Sequence, residues 1–318
     1  MIERMDRPGL AAVTEHRPGA ALKRHGRSFY FASHFLPRLP RQRATRLYAF
    51  CRWADDLVDE SQAENTATVA NLLETIDDGL ATHRTAIPQV ADFIALARET
   101  GIPRAAPRHL VEGLRQDQGA VALADEDALR RYAYRVAGSV GVMMAAVLGL
   151  QDRRGFAHAI DLGIAMQFTN IARDVAEDAR RGRRYLPACW FEPAAPPDLI
   201  ADLARHEPAL RHATRRLLAL AEPYYASGER GLALLPPGVR PGIRIAAKVY
   251  RDIGTMIARQ GYSPLAPRAR TPARRKLAVA LRGLPALWWD GRHAPLIHDR
   301  ALHAGFHDLA AAVLADGA

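Results

Sequence analysis

Cysteine is nearly missing from this chain: Cys51 and Cys189 are the only two in 318 residues, far apart and with no second cysteine or histidine at ligand spacing. That excludes a disulfide scaffold and a zinc finger and fits a reducing compartment, so a cytoplasmic protein is expected. Lysine is almost as scarce. Only Lys23, Lys248 and Lys276 stand among the 44 cations, and the arginines fall in separated groups, 38 to 46, 180 to 184 and 268 to 275. A net charge of +10 and a pI near 10.1 are common in nucleic-acid binders, but one basic tail with interleaved aromatics is lacking, so no nucleic-acid partner is expected. Arginine favours bidentate contacts with phosphate and carboxylate, which leaves a phosphorylated small molecule or an anionic membrane surface. Long apolar runs are lacking too. The longest uncharged stretch, Val136 to Gln151, has 16 residues and three glycines, short of the ~20 that cross a bilayer; it reads as a buried core helix. The charged N-terminal stretch MIERMDRPGLAAVTEHRPG does not suit a signal peptide. A glycine-rich phosphate loop and a GxGxxG after a strand are also absent, which removes the support for nucleotide folds.

What is present is helix. Hydrophobic residues make up 49% of the chain and charged ones 25%, enough apolar material for one large core and too much for disorder. Apolar residues recur at i, i+3, i+4 and i+7 with no sustained period of two, so an all-α protein is expected. Pro37 and Pro40 bracket a break before a helix from about Arg41 to Asp59, and Asp125 caps one running to about Leu150. Gly261 closes a helix begun near Pro241, and Thr271 caps another with Pro272 at its first position. EPAAPPDL (192 to 199) and LLPPGVRPG (234 to 242) read as short loops.

Two acidic constellations carry the chemistry. In RLYAFCRWADDLVDE (46 to 60) Asp55 and Asp59 are i and i+4 and share a helix face, while Asp56 points elsewhere and Arg52 lies one turn earlier. A divalent cation held by oxygen ligands would offset the repulsion of that pair; a solvated face with Arg52 as partner would do so as well. In the second, IDLGIAMQFTNIARDVAEDARRGRRYLP (160 to 187), Gln167, Asn170, Asp174 and Asp178 fall within an 80° stripe of an otherwise apolar helix. Aligned amides and carboxylates are costly to bury unless something satisfies them, and a metal–diphosphate cluster is one such partner. Arg173 and Glu177 form another i, i+4 pair, read as a surface salt bridge or a site pair. Two acidic helices with nearby arginines suggest facing metal sites that bind a diphosphate and ease its departure.

The runs SFYFAS (28 to 33), YAFCRWADDLVDE (48 to 60), YAYRVAGSVGVMM (132 to 144), QFTNIARDVAEDARRGRRYLP (167 to 187) and AEPYYASGERGLALLP (221 to 236) resemble, in order and spacing, the squalene and phytoene synthases. The phrases YRVAGSVGVMM and AEPYYASG look most like bacterial phytoene synthase. Resemblance covers about residues 20 to 282, with 1–19 as an N-terminal extension and 283–318, including Trp288 and Trp289, as a helical tail on the same domain.

The resemblance implies a single-domain isoprenoid-synthase helical bundle around a deep apolar pocket. It implies head-to-head condensation of two geranylgeranyl diphosphates to phytoene through a cyclopropyl diphosphate. Squalene, dehydrosqualene or presqualene diphosphate synthesis from farnesyl diphosphate is the alternative, and a catalytically silent assembly protein a further one. Asp55, Asp59, Asp174 and Asp178 would hold Mg2+ or Mn2+ with Asn170 assisting, and together with Arg52 would form the catalytic set. Arg27, Ser28, Tyr48, Gln167, Asn170, Arg173 and Tyr250 would contact substrate. No NADPH requirement is expected, and peripheral association with the inner face of the cell membrane is. The HGRSFY loop (25 to 30) matches the family's flap except that Gly26 stands where serine is usual. GLRQD (113 to 117) carries the family's Gly-x-x-x-Asp, and VALADEDAL after it lacks the expected aromatic. Gly138, Ser139, Gly141 and Ala145 either leave room for a long chain or permit close helix packing.

Overall fold

The computed structural model describes residues 27–59, 66–191, 196–283 and 297–315. Helices joined by short connections make up most of the described chain, with one two-residue strand pair: α1 (Arg27–Ser33), α2 (Arg38–Asp59), α3 (Thr66–Thr82), α4 (Pro88–Thr100) and α5 (Ala105–Gln116) precede β1 (Val121–Ala122). There follow α6 (Glu126–Ala133), a π-helical turn at Tyr134–Gly138, α7 (Ser139–Val147), the long α8 (Arg154–Arg180) and β2 (Arg183–Arg184). The chain continues through α9 (Pro196–Ala201), α10 (Leu203–Gly231), α11 (Arg240–Arg259), α12 (Ala273–Gly283) and α13 (His307–Ala315).

The 27 residues of α8 form the axis of the bundle, packed against α7, α10 and α11. Its fully buried Ile160, Ile164, Ala165 and Phe168 face the core, as an amphipathic stripe requires. Two glycines set its distance from the preceding segment: a Cβ on Gly141 would lie 2.2 Å from the Ala159 carbonyl oxygen, and one on Gly163 would lie 2.2 Å from that of Ala137. The small-residue stripe therefore serves close packing at Gly141, whose backbone also lines a cavity together with Ala145.

Several helix boundaries differ from the sequence expectation. The helix expected to run unbroken from Asp125 to about Leu150 is capped as foreseen, with the Asp125 carboxylate accepting from the Ala128 amide at 2.8 Å, but it widens into a π turn at 134–138 where Ala137 meets α8. Such turns leave a single-turn bulge in an otherwise regular helix, and this one places Val136 and Ala137 in the cavity wall. α2 starts at Arg38, so Pro40 sits inside its first turn, where no intrahelical donor is needed. The loop expected at 192–199 ends early: Pro196 opens α9 with Asp198 in its first turn. Thr271 does not cap α12; its hydroxyl donates to the Val249 carbonyl, and Pro272 O accepts the Arg275 and Lys276 amides. Gly261, at φ 66°, closes α11 with its amide on Ala258 O and the Tyr262 amide on Ile257 O.

The strands were not foreseen, because two residues carry no period. Val121 pairs with Arg183 and Ala122 with Arg184 in parallel, which pins the chain after α5 to the end of α8. The expected flap at 25 to 30 is helical from Arg27 onward. Its residues 25 and 26, the N-terminal extension, and Trp288 and Trp289 lie outside the described residues.

Candidate active site

Helices α2, α7, α8 and α11, with the π turn, enclose a mostly apolar cavity of about 350 Å³. From α2 it is lined by Tyr48, Cys51, Arg52 and Asp55, from α8 by Gln167 and Asn170, and from α11 by Tyr250. These share one end because they occupy successive turns of their helices' inward faces. Along α8 the lining continues through Met166, Gly163, Leu162, Ala159 and His158 to Gly155, and apolar side chains from α7 face it.

On the α2 wall the Arg52 guanidinium donates to Asp55 Oδ2 at 2.9 Å and also pairs with Asp56. Asp56 therefore does not point away as the sequence suggested; a long arginine reaches both carboxylates at i+3 and i+4. Asp59 is the last residue of α2, one turn beyond Asp55; its side chain lies outside the described residues. Burial pushes the Cys51 thiol up to about 12, so it remains protonated. Burial likewise raises Tyr48 and Tyr250, keeping both phenols neutral. The Phe29 ring, 5.1 Å from that of Tyr250 and 6.3 Å from that of Tyr48, brings α1 over this end. From α1 it is Phe29 and not Ser28 that lines the cavity; the Arg27 side chain lies outside the described residues.

On the α8 wall Asn170 Nδ2 donates to Gln167 Oε1 at 3.3 Å, while Asn170 Oδ1 is buried with no hydrogen-bond partner among the described residues. One turn further, Asp174 is clamped from two sides. Arg173 donates at 2.9 and 2.5 Å, and Arg268, from the segment after α11, donates at 2.7 and 2.9 Å. Burial opposes ionisation of Asp174, but these hydrogen bonds outweigh it and hold the carboxyl below its usual range. Asp178 goes the other way. Burial, then the charges of Asp174 and Glu177, push it well above the ordinary carboxylate value. The expected Arg173–Glu177 pair is not formed; Glu177 meets Arg181 at 3.3 Å and Arg268 at 3.7 Å. Asp174 and Asp178 lie one and two turns beyond the last cavity-lining rung at Asn170.

Sequence reasoning missed Arg268. It lies in an irregular stretch, SPLAPRARTP, where no period assigns a face, and only the fold carries it to Asp174. Asp117, the acid of GLRQD, also lines the cavity and accepts from the Tyr132 and Tyr185 hydroxyls at 2.8 Å each.

The Asn170 amide oxygen, buried with no partner among the described residues, and two turns on the Asp178 carboxyl, which burial and then its acidic neighbours push upward, are oxygen donors of the kind a hard divalent cation takes. The Asp55 and Asp117 carboxyls, the Gln167 and Asn170 amides and the Arg52 guanidinium line one mostly apolar cavity of a helical bundle, which fits the isoprenoid-synthase fold that the sequence resemblance implies. The squalene/phytoene synthase family model matches residues 22–276. Phytoene synthase of Cereibacter sphaeroides is 41% identical over 261 residues, 79% of this chain and 73% of that protein. The 15-cis-phytoene synthase of a Paracoccus species is 38% identical over 278 residues, 85% and 89% of the two chains. Among solved structures, a dehydrosqualene synthase in complex with ligand superposes with a TM-score of 0.72 at 26% identity, covering 85% of this chain and 95% of that one. The chain belongs to the squalene/phytoene synthase family and is a prenyltransferase.

Proposed function

We propose that the protein joins two geranylgeranyl diphosphates head to head and releases phytoene. The observation that carries the twenty-carbon reading is the length of the cavity. Its lining on α8 runs from Gly155 to Asn170, about 22 Å of helix axis, with carboxylates, amides and arginine at one end only. The naming of the two bacterial relatives as phytoene synthases supports the same reading.

Asp55, Asp59, Asn170, Asp174 and Asp178 would hold magnesium, for which the orphaned Asn170 oxygen and the Asp178 carboxyl, crowded by Asp174 and Glu177, are fitting donors. Bound metal supplies the charge that attracts a diphosphate and stabilises it as a leaving group. Arg52 and Arg173, with Gln167, hold the diphosphates, and their positive charge meets the anion as its C–O bond breaks and the electron pair passes to oxygen. Tyr48 and Tyr250, kept neutral, offer ring faces to the allylic cation. Attack by the second substrate's double bond with proton loss gives a cyclopropyl diphosphate; a second ionisation, rearrangement and proton loss give phytoene. Arg27 would reach a diphosphate from the start of α1, and the protein meets its lipidic substrate and product at the membrane surface.

The test is direct: incubate purified protein with magnesium and either fifteen- or twenty-carbon allylic diphosphate, with and without NADPH, and identify the hydrocarbon. Phytoene from the twenty-carbon substrate without reductant, abolished by EDTA and restored by magnesium, is expected. A thirty-carbon hydrocarbon as sole product, or a strict NADPH requirement, overturns the proposal.

A further inference from the structure

Away from the cavity, α8 carries a carboxylate that the diphosphate chemistry does not use. Asp161 is fully buried and is not among the residues that line the cavity. Two histidines from the C-terminal segment close on it: His298 Nε2 stands 2.8 Å from Oδ2, and His303 Nε2 stands 3.0 Å from Oδ1. The centres of those two rings are 4.3 Å apart, so both present an edge to one carboxylate. The side chains of Asp161, His303 and His298 are 0%, 5% and 15% exposed. One ligand atom from each lies within 4.8 Å of the other two, and among the described residues this is the one group of three or more acidic, histidine or cysteine side chains that converges so.

A carboxylate taken out of water needs compensating partners, and here they form layers. The Ser227 hydroxyl, from α10, donates to Asp161 Oδ2 at 2.5 Å, and His158 Nδ1 stands 2.9 Å from the same serine oxygen. Metal-binding carboxylates are oriented by outer hydrogen bonds of this kind. The spacing fits an ion as well: atoms about 2.1 Å from a shared zinc stand about 3 Å from one another, and the two N···O separations are 2.8 and 3.0 Å. The donor set selects the metal. Imidazole nitrogen suits zinc and its neighbours, whereas magnesium takes oxygen ligands. A neutral ring with its proton on Nδ1 turns the Nε2 lone pair to the ion; without the ion, the same nitrogens donate to the carboxylate and keep the group together.

We infer that Asp161, His298 and His303 form a structural zinc site that fastens the C-terminal segment to α8. The site is distinct from the magnesium site of the proposed function and does not rest on it. Asp161 precedes Asn170 by two and a half helical turns, about 14 Å along the axis, which puts the two on opposite faces of α8. The family match ends at residue 276, so both histidines come from beyond it. The segment they begin is packed against the bundle along its length: the Tyr224 hydroxyl donates to Leu302 O at 2.5 Å, Phe306 is fully buried, and Arg153 donates to Leu314 O at 3.0 Å. An ion that binds only when this segment is docked stabilises the docked state by its binding free energy.

The experiment uses the full chain without an affinity tag, equilibrated with zinc, desalted and assayed for bound metal by plasma mass spectrometry. Wild type should retain about one zinc per chain in excess magnesium, its melting temperature should fall on chelation and recover with zinc, and cobalt added to the metal-free protein should give visible d–d absorption. His298→Ala, at the least buried ligand, and Asp161→Asn should each weaken zinc binding about a hundredfold or more, and Ser227→Ala about tenfold, the range for outer partners. Asp174→Asn, at the acidic end of the cavity, should keep its zinc. A wild type that retains less than about a tenth of a zinc per chain and gives no cobalt band overturns the inference, and the group is then a hydrogen-bonded clamp alone. Zinc retained equally by wild type, His298→Ala and Asp161→Asn, or lost from Asp174→Asn, overturns it too. The hydrocarbon assay judges the proposed function separately, so either can fail without the other.

Discussion

At the scale of single residues, the site is a set of charges balanced against one another. Two arginines hold the Asp174 carboxyl below its ordinary range against burial, while burial, then Asp174 and Glu177, push that of Asp178 above it. Asp174→Asn removes the charge that both arginines serve, and turnover should fall at least about a hundredfold, the scale seen when one charge-stabilising group is lost; steady-state rates with a circular dichroism melt on the same sample check this, and unchanged turnover would rule it out. Asp161 gives a pH prediction. Burial opposes its ionisation, but hydrogen bonds from His298 and His303 win and keep its carboxyl below the usual value. A depressed carboxyl contributes stability that is present above the unfolded-state value and lost as pH falls through the folded one. The melting temperature of wild type should therefore fall more steeply than that of Asp161→Asn on the acid side of about pH 4, and parallel curves for the two proteins would refute it.

At the scale of elements, α8 matters through its approach to α7 and the π turn. Gly141 and Gly163 each face a carbonyl oxygen at a distance no Cβ can share. Gly141→Ala should cost about 1–3 kcal/mol, as overpacking does, and because the cavity wall moves with α7 it should lower activity as well. Gly119, with nothing within 4 Å of an added Cβ, is the control: Gly119→Ala should stay within about 0.5 kcal/mol. Denaturant titration of both variants decides, and equal midpoints would show that the helix contact is not under the constraint described. The two-residue β1–β2 ladder does similar work at lower cost, tying the loop that carries Asp117 to the end of α8.

At the scale of the whole molecule, the charge is arginine-rich and the described surface leaves Leu39, Leu265, Leu277 and Ile297 more than half exposed. No described helix is long and apolar enough to cross a membrane. An arginine near an anionic surface contributes about 1 kcal/mol, and exposed leucines on helices such as α12 (ARRKLAVALRG) can enter the interface. Co-sedimentation with anionic vesicles should be strong at low salt and weaken as salt is raised; no binding to anionic vesicles at low salt would exclude it.

Much of the protein was legible in one dimension, for a physical reason. A helix is a local structure whose period and caps are written in neighbouring residues, so the all-α class, the Asp125 cap, the Gly261 stop and the common face of Gln167, Asn170 and Asp174 follow from spacing alone. The resemblance added which chemistry such faces serve. Spacing carries no information about partners distant in the chain. Arg268 reaches Asp174 across 94 residues, and His298 and His303 reach Asp161 across 137 and 142. Whether Arg173 pairs with Glu177 or Asp174, whether a glycine stripe makes room or makes contact, and that His158 stands in the cavity wall were decided by packing. Each depends on which surfaces the folded chain presses together, and that is a property of the whole molecule.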